Sequence, residues 1–138
     1  MKEEIIEIII SELDFFLIQK VKELRTKPVY ISQMKLSQYL DQSEGYIGKV
    51  ENFKERSKYN IRILNKLAQI FQLNSYAELL PSTILKNDIV RLRLKIHPDP
   101  LNKRKKAVEI LSKKSLTDEE MIQFKNNRLP YLKIIESH

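Results

Sequence analysis

The 138-residue chain has no cysteine, two glycines and two histidines, and each scarcity excludes a class of chemistry. Without thiols there are neither disulfides nor thiolate metal sites, which fits a reducing, cytoplasmic compartment. The two glycines, Gly45 and Gly48, lie in one short segment, so no glycine-rich loop exists to cradle a phosphate. His97 precedes a proline and His138 is the last residue, so no histidine pair has metal-ligand spacing. Isolated Asp and Glu on polar faces are ordinarily solvated charge rather than acid–base pairs. These absences predict a non-enzyme with no cofactor and no metal. Long apolar runs are missing as well. Glu7, Glu12 and Asp14 interrupt the isoleucine-rich start well short of about 20 residues, which predicts no membrane span. Glu3 and Glu4 stand where a signal peptide would carry positive charge.

Charge, by contrast, is abundant and unevenly spread. The formal net charge is +7. Residues 1–12 hold one Lys against four Glu, residues 13–81 hold 11 basic against 7 acidic groups, and residues 82–138 hold 13 against 7. Positive charge therefore begins after the first dozen residues and grows towards the C-terminus. Such a balance attracts polyanions and speeds encounter with them. Ordinary solubilising surface charge is the plain alternative.

Residues 32–52, SQMKLSQYLDQSEGYIGKVEN, read as two short helices joined by a tight turn. Leu36 and Leu40 lie one helical turn apart, and Ile47 and Val50 repeat that spacing after the break. Ser37 is small where the second helix must pass close to the first. Asp41-Gln42-Ser43 supplies the turn, and Ser43 is a ready N-cap for the helix that follows.

On these residues and their surroundings, residues 17–81 resemble the lambda-repressor/Cro-type (XRE) helix-turn-helix domain. Leu24-Arg25 matches the end of that family's first helix. Ser32-Gln33, Leu36-Ser37 and Tyr46-Ile47-Gly48-Lys49-Val50-Glu51 match its core motif. Leu64-Asn65-Lys66-Leu67-Ala68 matches the fourth helix, and Leu79-Leu80-Pro81 the end of the fifth. Asp41 replaces the glycine common in the turn, a position where Asp tolerates left-handed backbone. The connector from Arg25 to Ser32 is about one residue longer than usual, through Lys27-Pro28. The resemblance implies a five-helix DNA-binding domain whose recognition helix, residues 43–52, enters the major groove. It also implies an Arg25–Glu51 pair that fixes the first helix against the recognition helix.

Within that frame each polar residue has an expected role. Gln33 opens the second helix and can offer its amide to a phosphate, helped by the helix dipole. Ser43, Glu44, Gly45 and Lys49 project towards base edges. Lys49 can reach guanine acceptors or a phosphate, and Glu44 can accept from a cytosine amino group. Asn52 ends the helix within reach of backbone or adenine. Lys54, Arg56 and Lys58 follow in the loop NFKERSKYN, placed for phosphates or simply solvated. Tyr46 is expected to pack rather than to read bases. The surface is sparse, because Glu44 repels phosphates and Gly45 has no side chain. Two explanations stand open: the domain leans on DNA shape, or it has drifted from DNA binding.

Asn60 is expected to cap a helix from Ile61 to Phe71, with Ile61, Leu64, Leu67, Ala68 and Phe71 facing the core. Ser75 is expected to cap a short helix, Tyr76–Leu80, that Pro81 stops. Ahead of the motif, residues 3–27 show a helical stripe of Ile6, Ile10, Leu13, Leu17, Val21 and Leu24. Ile5, Ile8, Ile9, Phe15 and Phe16 form a second apolar face, which needs either a second subunit or the chain's own C-terminal half as cover. A strand over Glu4–Ile10 is the weaker alternative, being short and β-branched.

Beyond residue 81 the resemblance ends. Ile89–Ile96, IVRLRLKI, alternates apolar with basic residues, which predicts a half-buried strand with one basic face. Its partner would be the same strand of a second subunit, or the N-terminal isoleucine run. Asp99 or Asn102 would cap a helix, KRKKAVEILSKK, whose opening residues Lys103 to Lys106 are misplaced for the helix dipole and hint at an anionic partner. Thr117-Asp118-Glu119-Glu120 reads as a capping box, and LPYLKII as a last helix or tail.

The sequence therefore predicts a mainly α protein. Residues 1–16 form an N-terminal helical extension and residues 17–81 the five-helix domain. Residues 82–138 form a C-terminal extension with one strand and two or three short helices, serving dimerisation or partner binding. The expected function is sequence-specific binding of double-stranded DNA by a cytoplasmic, homodimeric transcriptional regulator, a repressor before an activator. The alternative is a protein-interaction module, such as an antitoxin or assembly factor, that uses residues 82–138 to bind a partner protein.

Overall fold

The computed structural model describes residues 3–101 and 106–137. Helices account for 38% of them and strands for 26%, so the protein is a mixed α/β fold and the expected mainly α class is corrected. The chain divides into two units, one made of Met1–Ser11 with Asn87–His138 and the other of Glu12–Lys86.

Among its described residues the first unit holds a four-stranded antiparallel sheet. Its strands are β1, Glu4–Ser11, β2, Ile89–Pro98, β3, Lys106–Ser115, and β4, Leu132–Ser137. They lie in the order β3-β2-β1-β4. The first residues are thus not a helical extension. Glu4–Ser11 is a strand, and its β-branched isoleucines suit a central position paired on both sides. Ile6, Ile8 and Ile10 stand opposite Leu94, Leu92 and Val90, and none of the six is more than 3% exposed.

On the opposite face Glu7 sits between two arginines of β2. Arg93 Nε and Nη2 donate to its Oε2 at 3.1 and 2.5 Å, and Arg91 Nη1 donates to Oε1 at 3.2 Å. The alternation expected of β2 is present, yet Arg91 and Arg93 are neutralised inside the unit. The strand is also paired on both edges, by β1 and by β3, so it has no need of a second subunit there.

The hydrogen bond from Arg93 leads the causes that hold the Glu7 carboxyl below its ordinary value of 4.5. A lowered native value means stability that is complete above pH 4.5 and lost as pH falls through the native value. Glu7→Gln is expected to flatten the acid limb of a stability–pH curve measured by urea unfolding. An unchanged acid limb would show that Glu7 does not carry it.

Two further elements of this unit differ from expectation. Lys106–Ser115 is strand β3 rather than a helix, while Asn102 and Lys103–Lys105 lie outside the described residues. LPYLKII supplies strand β4 rather than a last helix or tail. The extension therefore holds three strands and one helix among its described residues. That helix, α5, spans Asp118–Lys125, where the capping box lies. Thr117 Oγ1 accepts from Glu120 N at 3.2 Å, and Thr117 N donates to Glu120 Oε1 at 3.0 Å. Glu120 Oε2 also accepts from Arg91, which ties α5 to β2.

The second unit is helical. α1 spans Glu12–Thr26, α2 Gln33–Tyr39, α3 Tyr46–Glu51 and α4 Ile61–Ile70, followed by a 3-10 turn at Tyr76–Leu79. Asn60 Oδ1 accepts from Ile63 N at 3.0 Å, as an N-cap should. α4 buries Ile63, Leu64, Leu67 and Ala68, whereas Ile61 is 79% exposed and is not the core residue expected. The core adds Leu17, Ile18 and Val21 of α1, Leu36 of α2, and Ile47 and Val50 of α3. Among the described residues no helix is long and apolar enough to cross a membrane.

Candidate nucleic-acid interface

The segment between α2 and α3 is built by local chemistry. Ser32 Oγ accepts from Lys35 N at 3.1 Å and starts α2. Asp41 takes the left-handed backbone that the turn requires, with φ at 57°. Ser37, fully buried, joins the two helices. Its hydroxyl donates to Gln33 O at 2.8 Å and accepts from Ile47 N at 3.0 Å. Only a small side chain with both hydrogen-bonding roles can do this at a close crossing.

α3 is shorter than the expected span 43–52. It begins at Tyr46, and Gly45 occupies the cap position with no side-chain hydrogen bond. Ser43 is therefore not the N-cap. Its carbonyl accepts from Tyr46 N at 3.0 Å, within the turn. Lys66 Nζ, from α4, approaches Leu40 O at 3.4 Å and meets a carbonyl that the end of α2 leaves over.

A buried ion pair holds α1 against α3. Arg25 Nε and Nη2 donate to Glu51 Oε2 and Oε1 at 2.8 and 2.7 Å, and both side chains are 3% exposed. Arg25 Nη1 also donates to Ile31 O at 2.8 Å, which fixes the connector before α2. Burial opposes the Arg25 charge, but the hydrogen bonds to Glu51 outweigh it and the guanidinium pKa is raised. Gln33 Nε2 donates to Glu51 Oε1 at 3.0 Å, so its amide positions Glu51. The Gln33 Oε1 would lie 3.4 Å from a β-carbon added at Gly48, an ordinary van der Waals contact.

The remaining expected contacts fall into two groups. Ser43, Glu44, Gly45, Lys49 and Asn52 are exposed, along the turn and the outer side of α3, while Ile47 and Val50 are buried beneath. Arg56 is exposed in the following loop and Lys54 is half-buried. Asn52 Oδ1 accepts from Lys54 N at 3.1 Å and shapes the start of that loop. Lys58 instead pairs with Asp14 of α1 at 3.5 Å. Tyr46 is half-buried and packs edge-on against Tyr59 with ring centroids 6.1 Å apart, the packing role expected of it.

Sequence reasoning missed a strip along α2. Met34 and Tyr39 are 50% and 51% exposed, and Lys35 Nζ lies 5.4 Å from the centre of the Tyr39 ring. The i, i+4 spacing of Lys35 and Tyr39 was the available signal. Tyr59 was missed for a different reason, since its hydroxyl is buried and makes no hydrogen bond among the described residues. Burial above all, then the Glu51 charge, raises its pKa. Removing an orphaned hydroxyl relieves a desolvation cost, so Tyr59→Phe is expected to stabilise the protein by ~1 kcal/mol. A clear drop in thermal midpoint would instead reveal a hydrogen bond at that oxygen.

No family model matches the chain, and neither a curated protein nor a solved structure matches it.

Proposed function

We propose that residues 17–81, within the helical unit Glu12–Lys86, form a lambda-repressor/Cro-type helix-turn-helix domain and that the protein binds double-stranded DNA by sequence, as a cytoplasmic transcriptional regulator acting chiefly by repression. One observation carries this reading. The Ser37 bridge and the Arg25–Glu51 pair clamp α3 against α2 and α1. On the outer side they leave an exposed row of Ser43, Glu44, Gly45, Lys49 and Asn52. A rigidly seated short helix with an exposed polar side is what major-groove readout requires.

The row is short of positive charge, which divides the labour. Lys49 serves a base edge or a phosphate, Arg56 a phosphate, and the α2 strip of Lys35 and Tyr39 adds backbone contact. Lys58 and Gln33 act instead as supports, through Asp14 and Glu51. Shape readout of the operator complements the few direct contacts. As a homodimer the protein would address half-sites about 34 Å apart.

The test is fluorescence anisotropy with duplexes from around the protein's own gene, at several salt concentrations and against a scrambled duplex. Specific binding is expected at least ~10³-fold above the scrambled control. Lys49→Ala is expected to weaken it, and Arg56→Ala to weaken it while lowering the salt slope by about one. If both variants bind as the wild type does, the assigned face is wrong.

A further inference from the structure

The sheet unit ends in two edges of different chemistry. On one side β3 presents Lys106, Lys113 and Lys114, all exposed, and lysines on an edge strand discourage pairing with another strand. On the other side, among the described residues, β4 pairs with β1 alone. It carries one base and one acid, Lys133 and Glu136, and its Ile134 is 49% exposed.

The ladder between β1 and β4 contains a bulge. Ile6 stands opposite Ile134 and Ile5 opposite Glu136, so Ile135 is the inserted residue. That insertion decides which side chains share a face. Leu132, Ile134 and Ser137 lie opposite Ile8, Ile6 and Glu4 on one face, and Lys133 and Glu136 lie opposite Glu7 and Ile5 on the other. In a regular strand two residues three apart would point to opposite faces. The bulge brings Lys133 and Glu136 to the same one.

We infer that β4 is a docking edge for a second copy of this chain, which pairs with it antiparallel about a two-fold axis between Ile134 and Ile135. The sheet then runs on continuously into that of the second copy. In this register Leu132 meets Ser137 of the second copy on one face, Lys133 meets Glu136 on the other, and Ile134 meets Ile135 at the centre. The symmetry gives each rung twice, so two cross-strand ion pairs flank an aliphatic centre. A shift of one residue in either direction pairs side chains from opposite faces beyond the bulge. The charges, the exposed isoleucine and the bulge all agree on this one register. A six-residue ladder is smaller than a standard interface of about 1,600 Å², so association in the micromolar range is expected.

The inference is independent of DNA binding and is tested without DNA, by sedimentation of the full chain across the micromolar range. The wild type is expected to self-associate. Lys133→Glu and Glu136→Lys each place like charges at both rungs and are expected to weaken association at least about tenfold. An equimolar mixture of the two variants puts opposite charges back at both rungs and is expected to restore it. Far-UV circular dichroism of each variant checks the fold, and recovery on mixing is a result that misfolding cannot produce. The inference is overturned by a wild type that stays monomeric throughout. It is equally overturned by association that neither variant weakens, which would put the self-contact elsewhere, or by a mixture that stays dissociated.

Discussion

Glu51→Ala is expected to lower the unfolding free energy by roughly 3–5 kcal/mol, the cost of leaving one member of a buried ion pair alone. Arg25 would keep its charge, because guanidinium does not deprotonate in proteins, and would keep it at 3% exposure with its bidentate acceptor gone. Gln33 would lose the same acceptor. The loss therefore exceeds that of an exposed ion pair, which contributes at most about 1 kcal/mol. Replacing both partners with Met is expected to cost far less than the single change, since the desolvation of two charges disappears with them. Urea unfolding followed by tyrosine fluorescence suits this measurement, because five of the six tyrosines belong to the helical unit. A single variant that unfolds at the wild-type midpoint would mean that the pair is not desolvated.

The second large effect lies in the sheet. Ile8→Ala is expected to cost about 2–5 kcal/mol, because Ile8 is fully buried in the central strand between Leu92 and Leu132. A neighbouring Ile or Leu cannot fill the vacated volume without moving a paired backbone. Far-UV circular dichroism during chemical unfolding reads this unit together with the helical one. The loss is expected at the midpoint with little change in slope. Wild-type stability would contradict a central strand at residues 4–11.

How legible each part was in the sequence follows from where its determinants lie. The helical unit is written in neighbours. Asn60 caps the residue three ahead, Asp41 turns its own backbone, and Leu36, Leu40, Ile47 and Val50 keep helical spacing. Arg25 and Glu51 lie 26 positions apart and were paired through a family resemblance rather than through spacing. The sheet is written in distant partners. β2 was recognised because its alternation is unbroken, whereas β3 and β4, two of the three strands with a helical reading, contain a bulge. In β3 the extra residue is Leu111, between the rungs of Ile110 with Leu94 and Ser112 with Arg93. One inserted residue breaks the period of two, and Val108, Ile110 and Leu111 then imitate the spacing of a helix. β1 was obscured differently, for its isoleucines lie on both faces and leave little alternation to show.

The candidate site was legible in its identities but not in its commitments. Lys58 and Gln33 have the residue types that phosphate contacts use, and nothing near them in sequence announces Asp14 or Glu51 as partners. Ser43 has the chemistry of a cap, yet helix α3 starts three residues later.

The helical unit is inserted between β1 and β2, whose register places Ser11 opposite Ile89. Synthesis therefore delivers the isoleucine-rich strand well before either of its two partners. At about 5–20 residues per second, the stretch from Glu12 to Asp88 keeps β1 waiting for on the order of ten seconds before β2 begins to emerge. Throughout that interval a strongly β-prone, apolar segment lacks both of the strands it pairs with in the described residues. Its fate in the cell rests on whatever shields it until Ile89 arrives.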